Sequence, residues 1–141
     1  MPHHQTILTI ATRGQSLVEI TREVANVVAG THISIGLATI FVRHTSCSLL
    51  IQENADPDVR QDLLAFFKRL VPDGDPLFTH TAEGPDDMPA HIKAALTQTS
   101  ISVPIANGRM MLGTWQGIYL FEHRRAPHQR QVIVHVFGDV P

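Results

Sequence analysis

Between His44 and Asp58 the chain reads H-T-S-C-S-L-L-I-Q-E-N-A-D-P-D. An imidazole, the hydroxyls of Thr45, Ser46 and Ser48, and the carboxyl or carboxamide groups of Glu53, Asn54, Asp56 and Asp58 lie between two apolar segments, which packing alone does not require. His44, His80 and His91 each adjoin polar residues, and neutral imidazole is both the commonest metal ligand and the side chain that titrates nearest neutrality. No two of these three have the H-x-x-x-H spacing of a single helix face. A three-histidine centre must therefore be assembled from separate elements, as in catalytic zinc sites, where three protein ligands leave a position for water or substrate. The same histidines, with Glu53 and Asp56, are candidates for acid/base duty.

The polar groups around them favour an anionic ligand. Asp56 is fully explained as a helix cap, but Glu53 and Asn54 are not. A helix N-terminus with Thr45 and Ser46 nearby suits a phosphate, and a carboxylate pair beside it suits Mg²⁺, which binds carboxylates together with phosphate oxygens. The expected ligand is thus a small phosphorylated metabolite, and the expected cofactor a divalent ion, zinc or magnesium. Trp115 and Gln116 lie between Gly113 and Gly117, where glycines permit close approach; the indole reads equally as a ligand wall or as an aromatic wedged at a strand corner. Arg124, Arg125 and Arg130 are either a solvated loop or fixed-charge phosphate clamps, with Arg130 assigned to phosphate. Cys47 lacks an activating pattern and reads as structural. His32 and His135 read as a turn and a strand residue, and His3 and His4 as a frayed terminus.

These groups need a scaffold. Gln5–Thr12 reads as a strand ended by Arg13-Gly14. Ser16 with Glu19 forms a capping-box pattern, so a helix is expected from there, burying Leu17, Ile20, Val24, Val27 and Val28 and stopping at Gly30. Ile33–Val42 is a strand apolar on both faces, Ile35, Leu37 and Phe41 on one and Ala38, Ile40 and Val42 on the other, as expected when both are covered. His44 continues the second face. Leu49–Ile51 is a short strand. Asp56-Pro57 opens a helix whose buried stripe is Val59, Leu63, Phe66, Phe67 and Leu70, closed by Pro72-Asp73-Gly74. A loop to Asp87 carries His80, and a third helix runs to Leu96 with Met88, Ile92 and Ala95 inward. Strands follow at Ser100–Pro104, Arg109–Leu112, Gln116–Glu122 and Gln131–Phe137. The order predicts a single compact α+β domain over residues 1–141, with two packed β-sheets and about three helices.

Composition narrows the function classes. The chain has 141 residues, 43% hydrophobic and 17% charged, which is globular rather than disordered. A net charge of −2 without a dense basic block disfavours nucleic acid as a partner. No apolar run is long enough to span a membrane, the first residues do not form a signal peptide, and a single cysteine fits the reducing cytoplasm.

The segments H-T-S-C-S-L-L-I-Q-E-N-A-D-P-D-V, H-T-A-E-G-P-D-D-M-P-A-H and N-G-R-M-M-L-G-T-W-Q-G-I-Y-L-F-E-H-R-R closely resemble the YjbQ-like family, often labelled secondary thiamine-phosphate synthase. That resemblance covers nearly the whole chain. It implies a sandwich-like domain assembling as a homotrimer, with the family's histidines falling on His44, His80 and His91 and with Glu53, Asn54 and Asp56 close by. It also implies weak joining of a pyrimidine pyrophosphate to a thiazole phosphate with release of pyrophosphate. Two other readings stay open on the same groups: a non-catalytic trimeric module that binds a metal or metabolite, and a metal-dependent hydrolase of another substrate.

Overall fold

The computed structural model describes residues 1–141. Its elements in chain order are β1 (His3–Thr12), β2 (Ser16–Glu19), α1 (Thr21–Thr31), β3 (Ile35–Val42), β4 (Cys47–Glu53), α2 (Pro57–Leu70), α3 (Asp87–Leu96), β5 (Ser100–Ala106), β6 (Arg109–Met110), β7 (Gln116–Glu122) and β8 (His128–Asp139). A five-stranded antiparallel sheet in the order β1-β8-β3-β5-β6 packs on a three-stranded one in the order β2-β7-β4. The expected α+β architecture with two packed sheets and three helices is what the chain adopts. No helix is long and apolar enough to cross a membrane.

The period of two sets the layers. Ala38, Ile40 and Val42 of β3 and Val132, Val134 and Val136 of β8 face Leu49 of β4 and Ile118 and Leu120 of β7, with Val24 and Val28 of α1 closing one end. β7 is central in the small sheet and buried on both faces after its first residue. On its far side Leu17, Tyr119 and Phe121 meet Leu63, Leu64 and Phe67 of α2. The other face of β3 is not covered within the chain: Ile35 is 66% exposed and Phe41 43%, and Phe137 of β8 joins them at 38%.

Several local expectations give way to packing. Ser16–Glu19 is a strand, not a helix start, because Leu17 and Val18 pair with Phe121 and Leu120 of β7. Glu19 instead accepts the Thr21 hydroxyl at 2.9 Å as α1 begins. Phe66 and Leu70 of α2 point to solvent. The buried face of α3 is Pro89, Ala90, Lys93 and Ala94, not Met88, Ile92 and Ala95. His3 and His4 belong to β1, paired with Phe137 and Val136. The start of α2 matches expectation: Asp56 accepts the amide of Asp58 at 2.9 Å, with Pro57 at the first helical position.

Candidate functional site

The densest group of ligating atoms lies where the N-terminal turn of α3 meets the loop before it. Asp87 and His91 stand one turn apart on α3, and His80 comes from the loop. His80 Nε2 is 2.6 Å and His91 Nε2 3.0 Å from the same Asp87 oxygen, Oδ2. These ligand atoms all lie within 4.8 Å of one another, a grouping suited to a cation. The carboxylate is buried while both imidazoles are partly exposed, so the centre opens to solvent on its histidine side. A pocket of about 330 Å³ adjoins it, lined by Phe78, His80, Thr81 and Gly84 among others.

The hydrogen bonding at His91 tests the fit of a cation. Nδ1 lies 2.8 Å from the Thr45 carbonyl, which can only accept, so Nδ1 carries the proton. In the neutral ring Nε2 is then a bare lone pair, aimed at carboxylate oxygen 3.0 Å away. Only a proton or a metal ion between them makes that contact favourable. A carbonyl fixing the tautomer of a ligating histidine is the usual outer-sphere arrangement in metal sites, and two imidazoles with one carboxylate are a donor set taken by zinc or iron. The residues present fit a divalent ion.

Arg124 holds the centre from behind. Its Nη1 donates to Asp87 Oδ1 at 2.7 Å, its Nε to Asp86 Oδ2 at 2.9 Å, and its Nη2 to the Glu83 carbonyl at 2.9 Å. The Arg125 amide also donates to Asp86 Oδ2, at 3.0 Å. Burial pushes the Asp87 carboxyl up, but its hydrogen bond to His80, the positive charge His91 carries when protonated, and the Arg124 guanidinium outweigh it and hold the group below the usual carboxylate range. Burial likewise opposes ionisation of Asp86, and the hydrogen bonds from Arg124 and Arg125 overcome it. Asp87 is therefore anionic at neutral pH, the form a cation would require.

The remaining candidates lie elsewhere. His44 is not in the group: its Nε2 accepts the Gln131 amide at 2.8 Å, and burial, then Arg130, hold its pKa below the ordinary value. The Ser46 hydroxyl accepts from Arg130 at 2.9 Å and is buried, while Thr45 contributes its carbonyl. Arg130 is no free clamp, being 3% exposed and committed to Glu122 through Nε at 2.7 Å. Glu53, Asn54, Trp115 and Gln116 gather at the opposite end of β4, where Glu53 pairs with Gln116 and the Asn54 amide donates to the Trp115 carbonyl at 3.0 Å. Glu53 Oε2 accepts the Asp56 amide at 3.1 Å. Seven extended residues of β4 separate this end from Thr45, a span of about 20 Å. Trp115 faces solvent rather than core, 63% exposed. Within one chain, the structure joins His80 and His91 but neither His44 nor the Glu53–Asp56 group to them.

The residues that sequence reasoning missed are Asp87 and Asp86, while Arg124, read as a solvated or phosphate-clamping arginine, is instead spent on these two carboxylates. The available signal was a carboxylate four positions before a histidine on a helix, Asp87-x-x-x-His91, rather than paired histidines.

Ser48 and His123 imitate a catalytic pair, with Oγ and Nε2 2.9 Å apart, but both are sealed in the core. Burial, helped by Lys93, pushes the His123 pKa down to about 3. The unfolded chain takes up that proton first, near pH 6.5. The resulting stability is complete above this value and is lost as pH falls from about 6.5 toward 3. Thermal or urea melts should therefore show stability falling from pH 6 to pH 5 with a slope approaching 1.4 kcal/mol per pH unit, as a rough single-site limit. His123→Gln should flatten that slope, whatever it does to stability at pH 8. A variant that keeps the full slope would assign the acid sensitivity to other groups.

Comparison with known proteins gives a consistent picture. The sequence profile of a family described as UPF0047 protein YjbQ-like matches residues 6–139. The chain is 58% identical to UPF0047 protein sll1880 of Synechocystis, over 97% of this chain and 93% of that protein. It is 41% identical to UPF0047 protein YjbQ of Escherichia coli O157:H7, over 96% and 99%. A solved YjbQ/UPF0047 family protein from Clostridium acetobutylicum superposes with a TM-score of 0.82 at 38% identity, covering 95% of this chain and 99% of that one.

Proposed function

The chain belongs to the YjbQ-like UPF0047 family, and from the site it carries we propose that it is a metal-assisted enzyme acting on phosphorylated small molecules. One observation carries this reading: two imidazole nitrogens converge on one buried, ionised carboxylate oxygen, with the His91 tautomer fixed by the Thr45 carbonyl. His80, Asp87 and His91 would hold the ion, zinc fitting the donor set better than magnesium, which prefers an all-oxygen shell. Bound there with open positions, the ion would supply Lewis-acid stabilisation of charge developing on a phosphate or pyrophosphate oxygen. The chain's own part is positional. Arg124 fixes Asp87, Thr45 orients His91, and the loop carrying His80 forms a wall of the neighbouring pocket.

Within this reading the reaction to test is the condensation of a pyrimidine pyrophosphate with a thiazole phosphate to give thiamine phosphate and pyrophosphate. The homotrimer that goes with it draws support from the uncovered apolar sheet face of Ile35, Phe41 and Phe137. Thiamine phosphate formation should depend on added Zn²⁺ or Mg²⁺ and should fall at least tenfold in His80→Ala. Equal rates in wild type and variant would sink the assignment. Metal retention without turnover would turn the reading into that of a binding module.

A further inference from the structure

A second pocket, of about 350 Å³, lies across the loop from the histidine centre. Its lining includes Gln15, Lys68, Asp73, Lys93 and Arg125. Lys93 is the unusual member: it is 3% exposed, and every ion pair in the chain is made by other residues. No side-chain hydrogen bond reaches its ammonium. Asp73, the only carboxylate in the lining, is spent on Arg125, 2.5 Å from its Nη2, and its other oxygen is buried without a partner. Lys68, Lys93 and Arg125 thus face the cavity with two positive charges in excess. The Lys93 ammonium therefore feels the opposite charge of Asp73 only at a distance, with no ion pair or side-chain hydrogen bond formed. An anion in the cavity would supply the direct partner that Lys93 lacks.

We propose that this pocket is an anion site for a phosphate group, free or as the ester of a small metabolite, with Lys93 as its buried anchor and Lys68 and Arg125 at its mouth. The size suits that class, being at the lower end of small-ligand pockets. Two or three point charges around a cavity suit a compact oxyanion better than an extended acidic peptide. On α3, Lys93 follows His91 by two positions and so projects from another side of the helix. The loop supplies His80 to one pocket and Asp73 to the other, and the Gly74 amide bonds the Pro85 carbonyl at 3.1 Å across its base. An anion held beside Lys93 therefore rests on the same loop that presents His80. The inference builds on the reading of a phosphorylated substrate and adds where such a group binds.

The test is calorimetric titration of the full chain with inorganic phosphate and, separately, with glycerol phosphate, at fixed ionic strength in chloride, with zinc titrated in parallel. Wild type should bind at least one of the two, and which one is tighter tells whether the site takes the free or the esterified group. Lys93→Met should lose at least tenfold in that affinity while binding zinc as wild type does. Lys68→Glu, at an exposed position, should weaken it severalfold. The proposal is overturned if wild type gives no phosphate binding above chloride, or if both variants bind phosphate as wild type does. Should Lys93→Met not fold, Lys68→Glu decides alone. Loss of zinc binding by wild type would instead count against the histidine centre and leave the phosphate result standing.

Discussion

Replacing Asp87 by asparagine should abolish tight divalent-ion binding, with affinity falling at least about 100-fold, beyond the cost of losing a group that merely supports a ligand. The substitution suits the purpose because it preserves shape. The carboxamide oxygen can take the place of Oδ1 and still accept from Arg124, now 2.7 Å away. Its NH₂ then points toward His80 and His91 Nε2, which can accept from it, so the loop and helix stay tethered without an anionic ligand. The thermal midpoint of the metal-free protein should stay within a few degrees of wild type, while zinc titration and elemental analysis should show an empty centre. His44→Ala is the matched control, and because its ring is spent on the Gln131 amide, zinc affinity should stay within about twofold. An Asp87→Asn protein that still binds zinc tightly, or a His44→Ala protein that does not, would overturn the ligand set of His80, Asp87 and His91.

That contrast shows where sequence reasoning worked and where it could not. Elements specified by local chemistry were legible: the Asp56-Pro57 cap and the strands at Gln116–Glu122 and Gln131–Phe137. Ser16-x-x-Glu19 has the same local chemistry as a helix start, yet forms β2, because an edge beside β7 rewards Leu17 and Val18 with cross-strand pairing. The proposed ligand set was half legible. His80 and His91 are noticeable as histidines, but Asp87 resembles any acidic residue in a first helical turn until the loop folds His80 onto it. The attraction of the His44–Asp58 stretch came from density along the chain. A strand converts that density into separation, so Thr45 meets α3 while Glu53 and Asn54 meet Trp115 and Gln116 at the far end. Arg130 misled for a related reason: its partner Glu122 is close only because the turn between β7 and β8 brings it back.

That pair should give the largest stability effect of any single substitution outside the apolar core. Glu122 is fully buried and every acceptor direction is used: Oε1 takes Arg130 Nε at 2.7 Å and the Thr12 hydroxyl at 2.6 Å, and Oε2 takes Arg130 Nη2 at 2.5 Å and the Arg124 amide at 3.1 Å. Arg130 also donates from Nη2 to the Ser46 hydroxyl at 2.9 Å, tying β8 to the start of β4. Arg130→Met keeps the volume but strands a buried carboxylate, a change that costs roughly 3–5 kcal/mol and, for a domain near this size, about 10 °C in Tm. Removing both charges, as Arg130→Met with Glu122→Leu, should recover at least half of the loss, since the stranded charge rather than the missing attraction carries most of it. The pH dependence gives an independent sign. In the wild type, burial opposes ionisation of Glu122, but the hydrogen bonds from Arg130, Thr12 and the Arg124 amide prevail and its pKa is depressed. Its stabilising contribution is present above the ordinary carboxylate pKa and fades as pH falls below it. Without Arg130, burial dominates and the pKa of Glu122 rises, so acid relieves the variant while it weakens the wild type. Melts at pH 7 and pH 4 should show the gap between the two proteins narrowing on acidification. A gap that is constant with pH, or smaller than about 0.5 kcal/mol throughout as for an ordinary surface change, would mean that water reaches Glu122 and the pair is not sealed.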